Sequence, residues 1–291
     1  MQIEYNKVLF DRIANDDIKG VTYAIDHGAN IHCEGVFGEY PIHEASRYNC
    51  VEVLRFLIDA GANIEQRNRY RSTPLLCTSS NDSHLAAEIL ISAGANIHAT
   101  EKNSWNTLHL ASIHNAPKLA EVMIKAGASV NAQSDGNKSS ALHVASWHGY
   151  FKVAELLISA GANPNIRNSR GETPLHEAAS HGHIEVLKAL MDAGGDIDIV
   201  ARDKKDVLGH ALTAPTADCA LMLMDLKGLS VESKINGRSL LQHFAKQETA
   251  KESIKDIFRK IRSEKMAESL EQALDGDWQS STPKANASLS L

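Results

Sequence analysis

Thr173-Pro174-Leu175-His176-Glu177-Ala178-Ala179-Ser180-His181-Gly182 is the stretch that decides how this chain is read. Threonine suits a helix N-cap, and proline suits the first helical turn, where its missing N–H is not needed. Leu175, Ala178 and Ala179 make a narrow apolar face that lets two helices approach closely, and Gly182 ends the short helix. Ile184, Val186, Leu187 and Leu190 then follow at helical spacing. Gly194 comes after their last turn, where a left-handed residue closes a helix at least cost.

The same pattern recurs on both sides. Gly-Ala-Asn or a close variant begins at Gly28, Gly61, Gly94, Gly127, Gly161 and Gly194, at steps of 33 or 34 residues. In register with it run Pro41-Ile42-His43, Thr73-Pro74-Leu75, Thr107-Leu108-His109 and Ala141-Leu142-His143. Period and motif together resemble the ankyrin repeat over residues 5 to 246. The resemblance implies an all-α repeat solenoid: a stack of helix-turn-helix units with β-hairpin loops. Leu9 and Gly28 are spaced as Leu175 and Gly194 are, so residues 1–34 read as an N-terminal capping repeat. Residues 35–200 hold five well-matched repeats and 201–246 degenerate ones, as at Val207-Leu208-Gly209-His210. Ile254, Ile257, Phe258 and Ile261 suggest an amphipathic helical cap over 247–275, and 276–291 reads as a disordered tail.

Composition narrows the function. With 30 basic and 36 acidic residues the net charge is −6, which argues against a general nucleic-acid binder. No stretch approaches 18 apolar residues, so no membrane span is expected, and the N-terminus lacks a signal-peptide pattern. Cys33, Cys50, Cys77 and Cys219 are scattered, as reduced thiols in a cytosol would be. The expectation is a cytoplasmic monomer.

Catalytic and metal motifs are wanting. The phosphate loop and the nucleophile elbow are absent, so no enzyme and no cofactor are expected. His176 and His181 are five residues apart, not the four of a zinc-protease helix, which turns one from the other by roughly 140°. No metal is expected there. The resemblance instead gives His43, His109, His143 and His176 a structural role, hydrogen bonding within and between repeats.

Function then falls to side chains that the repeat leaves free, which the resemblance places on loop tips and on the concave side of each first helix. The candidates are Tyr48, Ile113, His114, Trp147, His148 and His181 on helices, with Tyr70 and Trp105 on loops. Arg47 shares the helical register, and Arg170 the loop register. Neither Trp105 nor Trp147 stands where repeat packing demands an aromatic, and interfaces concentrate such residues. The implied function is a non-enzymatic scaffold that binds a protein partner of unknown identity. The tail, with Glu264, Glu268 and Glu271 ahead of a Ser-rich end, resembles translocation signals of type IV-secreted bacterial ankyrin effectors. It suggests an alternative, a protein delivered into a host cytosol. An enzyme hidden in 200–275 is a further alternative.

Overall fold

The computed structural model describes residues 2–216, 218–228, 234–235 and 238–239. The expected helical cap and tail, 247–291, lie outside the described residues. The chain forms two compact units, one ending at Ala211 and the other beginning at Leu212.

In the first unit the expected helix pairs appear in order. They are α1 Gln2–Ile13 with α2 Ile18–Asp26, α3 Pro41–Arg47 with α4 Val51–Asp59, and α5 Pro74–Cys77 with α6 His84–Ser92. α7 Thr107–Ile113 with α8 Pro117–Lys125, α9 Ala141–His148 with α10 Phe151–Ser159, and α11 Pro174–His181 with α12 Ile184–Asp192 follow. α13 Val207–Ala211 is the last helix of this unit. Odd-numbered helices contact each other in series, and so do α2 to α12, giving two rows. Leu54, Leu75, Leu108, Leu142, Leu175 and Leu187 are buried between them. In the second unit the described elements are α14 Asp218–Leu226 and a two-residue antiparallel pair, β1 Lys234–Ile235 and β2 Arg238–Ser239.

Gly-Ala-Asn proves to be a three-part closure. Gly61 has φ +87°, and its N–H bonds back to Ile58 O while that of Ala62 reaches Leu57 O. This is the double bond of a Schellman motif, and it recurs at Gly28, Gly94, Gly127, Gly161 and Gly194. Nothing lies near the place a Cβ would take at these glycines, so the dihedral alone selects them. Asparagine then turns the chain: Asn63 Oδ1 accepts from Glu65 N at 2.9 Å, as Asn96 does from His98 N.

The histidine series is structural as well. Nδ1 of His176 accepts the N–H of Thr173 at 3.1 Å, and Nδ1 of His143 that of Ser140 at the same distance. The ring thus does what Glu does in a capping box. With Nδ1 accepting, Nε2 carries the proton and donates to the next repeat: His109 to Ser139 O at 3.0 Å, and His143 to Glu172 O at 3.1 Å. His43 reaches Gln66 O and Ser72 O. In the fourth pair the cap is Asn106, with Thr107 in the proline position.

The hairpin loops pair sparingly. The chain closes across the loop base by short main-chain bonds, for example Asn68 N to Ser72 O with Arg71 N to Asn68 O, and Asn168 N to Glu172 O with Gly171 N to Asn168 O. In the first unit their β-pairing amounts to isolated bridges at Thr100–Asn106 and Gln133–Ser140. The helix cap follows at once and leaves no room for a longer ladder. Neighbouring loops are tied instead through Asp135 N to Asn103 O, Ser169 N to Asn137 O and Arg202 N to Arg170 O.

Candidate functional site

Between the loops and the row of first helices runs a groove with two adjoining depressions. One, of about 260 Å³, is bounded by Trp105, Ile113, Val144, Trp147 and His148. The other, of about 320 Å³, continues past Trp105 and Ile113 to Leu110, His114, Tyr70 and Glu101. Both are open, and both lie at or below the small end of the roughly 300–1,000 Å³ usual for small-molecule sites. They suit side chains better than a metabolite.

Six of the eight candidate residues therefore meet here: Tyr70, Trp105, Ile113, His114, Trp147 and His148. His181 lines neither depression but stacks under the Trp147 indole, ring centroids 4.9 Å apart, with Nδ1 donating to Glu177 O. Trp147 remains 45% exposed on this support. Tyr48 is 48% exposed but borders neither depression.

Two readings of the sequence need correction. Packing does call for an aromatic at Trp105: its ring is partly buried against Leu76, Ala99 and Leu110. Leu76 stands where other repeats carry histidine, so no imidazole braces the following loop there. The Trp105 ring packs against Leu76 there and also lines both depressions. Arg47, read as free, is bound: its Nη2 donates to Glu39 Oε1 at 2.5 Å, and Glu39 also takes Asn68 Nδ2 at 3.0 Å.

Sequence reasoning missed a buried polar cluster around Glu172 and Glu177. Asn168 Nδ2 donates to both Glu172 Oε2 (3.0 Å) and Glu177 Oε1 (3.2 Å). Arg170 bridges the same two oxygens at 2.5 and 3.2 Å. Burial, then the charge of Glu172, pushes the Glu177 carboxyl up to about 7. Glu172 goes the other way: burial opposes its charge, but the bonds from Asn168 and Arg170 hold it below its usual range. The available signal was the column Glu44, Cys77, Leu110, Val144, Glu177 and His210, one helix position whose polarity changes along the array.

Among the described residues Glu39, His43 and Cys77 stand close enough to share a metal ion. Their chemistry is already committed. Both imidazole nitrogens of His43 are engaged with backbone groups. Burial, then Glu39, pushes the Cys77 thiol up to about 12, so it is no thiolate. Arg47 supplies the cation, 3.9 Å from the sulfur.

Stacked helix pairs and a bonded histidine series define a repeat scaffold. A family model described as ankyrin repeats matches residues 9–101, 76–168, 108–203 and 158–235, and the chain belongs to that family. Among solved structures it is similar to the human ASB11 ankyrin repeat domain, with TM-score 0.67 and 21% identity, over 74% of this chain and 96% of that one. It is also similar to the ankyrin repeat domain of Bcl-3, a member of the IkappaB protein family, with TM-score 0.63 and 20% identity. That match covers 74% of this chain and 97% of the other. No curated protein sequence matches the chain. Ankyrin repeats in general are protein–protein interaction scaffolds.

Proposed function

We propose that this chain is a non-enzymatic scaffold that binds a protein segment in the groove between its loops and first helices. The carrying observation is Trp147, a large aromatic left exposed beside an apolar depression and held in place by a stacked imidazole. Removing such a ring from water on binding, with its backbone already fixed by the stack, contributes affinity at little ordering cost. Glu101 in the groove wall supports a protein partner over the phosphates of a nucleic acid. Four buried free thiols support a reducing, cytosolic setting. Among the described residues no helix is long and apolar enough to cross a membrane. The effector alternative rests on the tail, which lies outside the described residues. The test is capture of partners from lysate by the wild type and by Trp147→Ala. The variant should keep its thermal midpoint and lose the partners; full retention of every partner would remove the groove from the reading.

A further inference from the structure

The larger depression of the groove carries an uneven set of charges. Of the residues that line it, Glu39 and Glu101 are acidic and Arg47 is basic. Arg47 Nη2 donates to Glu39 Oε1, so that charge is answered. Glu101 has no such partner. Among the described residues it makes no ion pair, and its carboxylate accepts the Ser72 hydroxyl on Oε2 at 3.0 Å while Oε1 takes no hydrogen bond. His114 and Cys77 add no charge, since burial lowers the one and raises the other. Glu39, 3% exposed at the same depression, also leaves its Oε2 without a hydrogen bond.

Around Glu101 the wall is aromatic and apolar. Tyr70, 55% exposed, and Trp105 border the same depression, with Leu110 and Ile113. Ring faces attract a cation, and apolar walls take the methylene stem of a long basic side chain while its charged end reaches a polar group. An arginine fork pairs best with two free carboxylate oxygens, whereas the compact lysine ammonium needs one. Ser72 leaves Glu101 one.

Resting on the binding role above, we propose that the recognised segment inserts a lysine side chain into the larger depression, its stem along Trp105 and its ammonium against Glu101 and the Tyr70 ring. The lysine sets the register of the segment, and Trp147 supplies apolar burial beside it.

Random dodecapeptides displayed on phage and selected against the full chain test this. Recovered peptides should share a lysine. On the unaltered chain, norleucine in its place keeps the stem and removes the charge, and should cost the best synthetic peptide about tenfold or more in affinity. Arginine in its place should restore only part of that loss. Glu101→Gln, checked for an unchanged thermal midpoint, should weaken the lysine peptide by a similar factor and leave the norleucine peptide unchanged, as direct coupling requires. Peptides that need Trp147 but share no lysine, or that lose as much to Glu101→Gln with norleucine as with lysine, overturn the lysine pocket and leave the groove standing. Full affinity with arginine overturns the choice of lysine. A selection in which no peptide depends on Trp147 overturns the groove itself.

Discussion

The second and fifth repeats begin alike, Thr73-Pro74-Leu75 and Thr173-Pro174-Leu175, and then diverge. In the fifth, His176 closes the cap and Ala178 and Ala179 continue an α-helix to His181, where Gly182 at φ +77° ends it. In the second, Leu76 replaces the histidine and Thr78 and Ser79 replace the alanines. Their hydroxyls donate to the carbonyls three residues back, Thr78 to Leu75 O at 2.6 Å and Ser79 to Leu76 O at 2.9 Å. The α-helix stops at Cys77 and a 3₁₀ turn, Thr78–Asn81, completes it. Asp82, at φ +53°, stands in for the glycine and uses its carboxylate to hold Leu119 N at 2.7 Å. The lesson is that the repeat tolerates loss of its hydrogen-bonding ring when a neighbour supplies bulk, here Trp105.

Alanine at Leu75 and at Leu175 breaks the comparison hardest. Both leucines are buried at the same position, and each substitution should cost about 2–5 kcal/mol in urea unfolding. A loss under about 1 kcal/mol at either would put the register in error.

Acid separates the two repeats next. Burial holds His143 and His176 down to about 4, the second helped by His210, and lowers His43 and His109 as well. The unfolded chain therefore binds more protons on these rings, and their stability contribution is lost as pH falls from about 6.5 toward 4, about 3 kcal/mol for each of the first two. Glu177, raised to about 7, works in the opposite sense between 7 and its ordinary 4.5, because there the folded state holds the extra proton. Glu44 and Glu101 are raised as well, but the two strongly lowered rings outweigh these carboxyls, so the urea midpoint should fall between pH 7 and 4, and Glu177→Gln should steepen the fall. The second repeat, with Leu76 and Cys77 at these positions, contributes nothing to it. A flat profile would detach the histidines from stability.

Trp105→Ala probes the substitute for the missing ring. Half-buried against Leu76, it should cost about 2 kcal/mol, below the 3–5 of a fully buried aromatic. Trp147→Ala should stay within about 0.5 kcal/mol of wild-type stability while weakening partner binding by about 2 kcal/mol or more. Equal stability losses for the two tryptophans would end the distinction between them.

Much of this architecture was legible. Caps, glycines and leucines act within a few residues of each other, so their spacing in the sequence is also their spacing in space. Six of the eight candidates picked from the same register line the depressions, and Tyr48 and His181 do not. Pairings made across repeats were not: Glu39 with Asn68, or Trp105 over Leu76, join side chains about 30 residues apart. Thr78 and Ser79 look like ordinary small residues until the carbonyl each one chooses is known. Ser112 bonds four back to Leu108 and keeps its helix α, whereas Ser79 bonds three back and does not.

The histidine bonds all run one way, each ring donating to the repeat that follows, and His176, which reaches the Ile199 backbone, is the last of the series. Gly209 holds the next place in the register, and glycine has no ring to pass the pattern on. Duplication of a module is therefore not equally tolerated everywhere. A copy of residues 141–173 inserted after itself would find a donor behind it and a carbonyl ahead. A copy joined after Gly209 would find no donor behind it. The array can lengthen from within but not at that end.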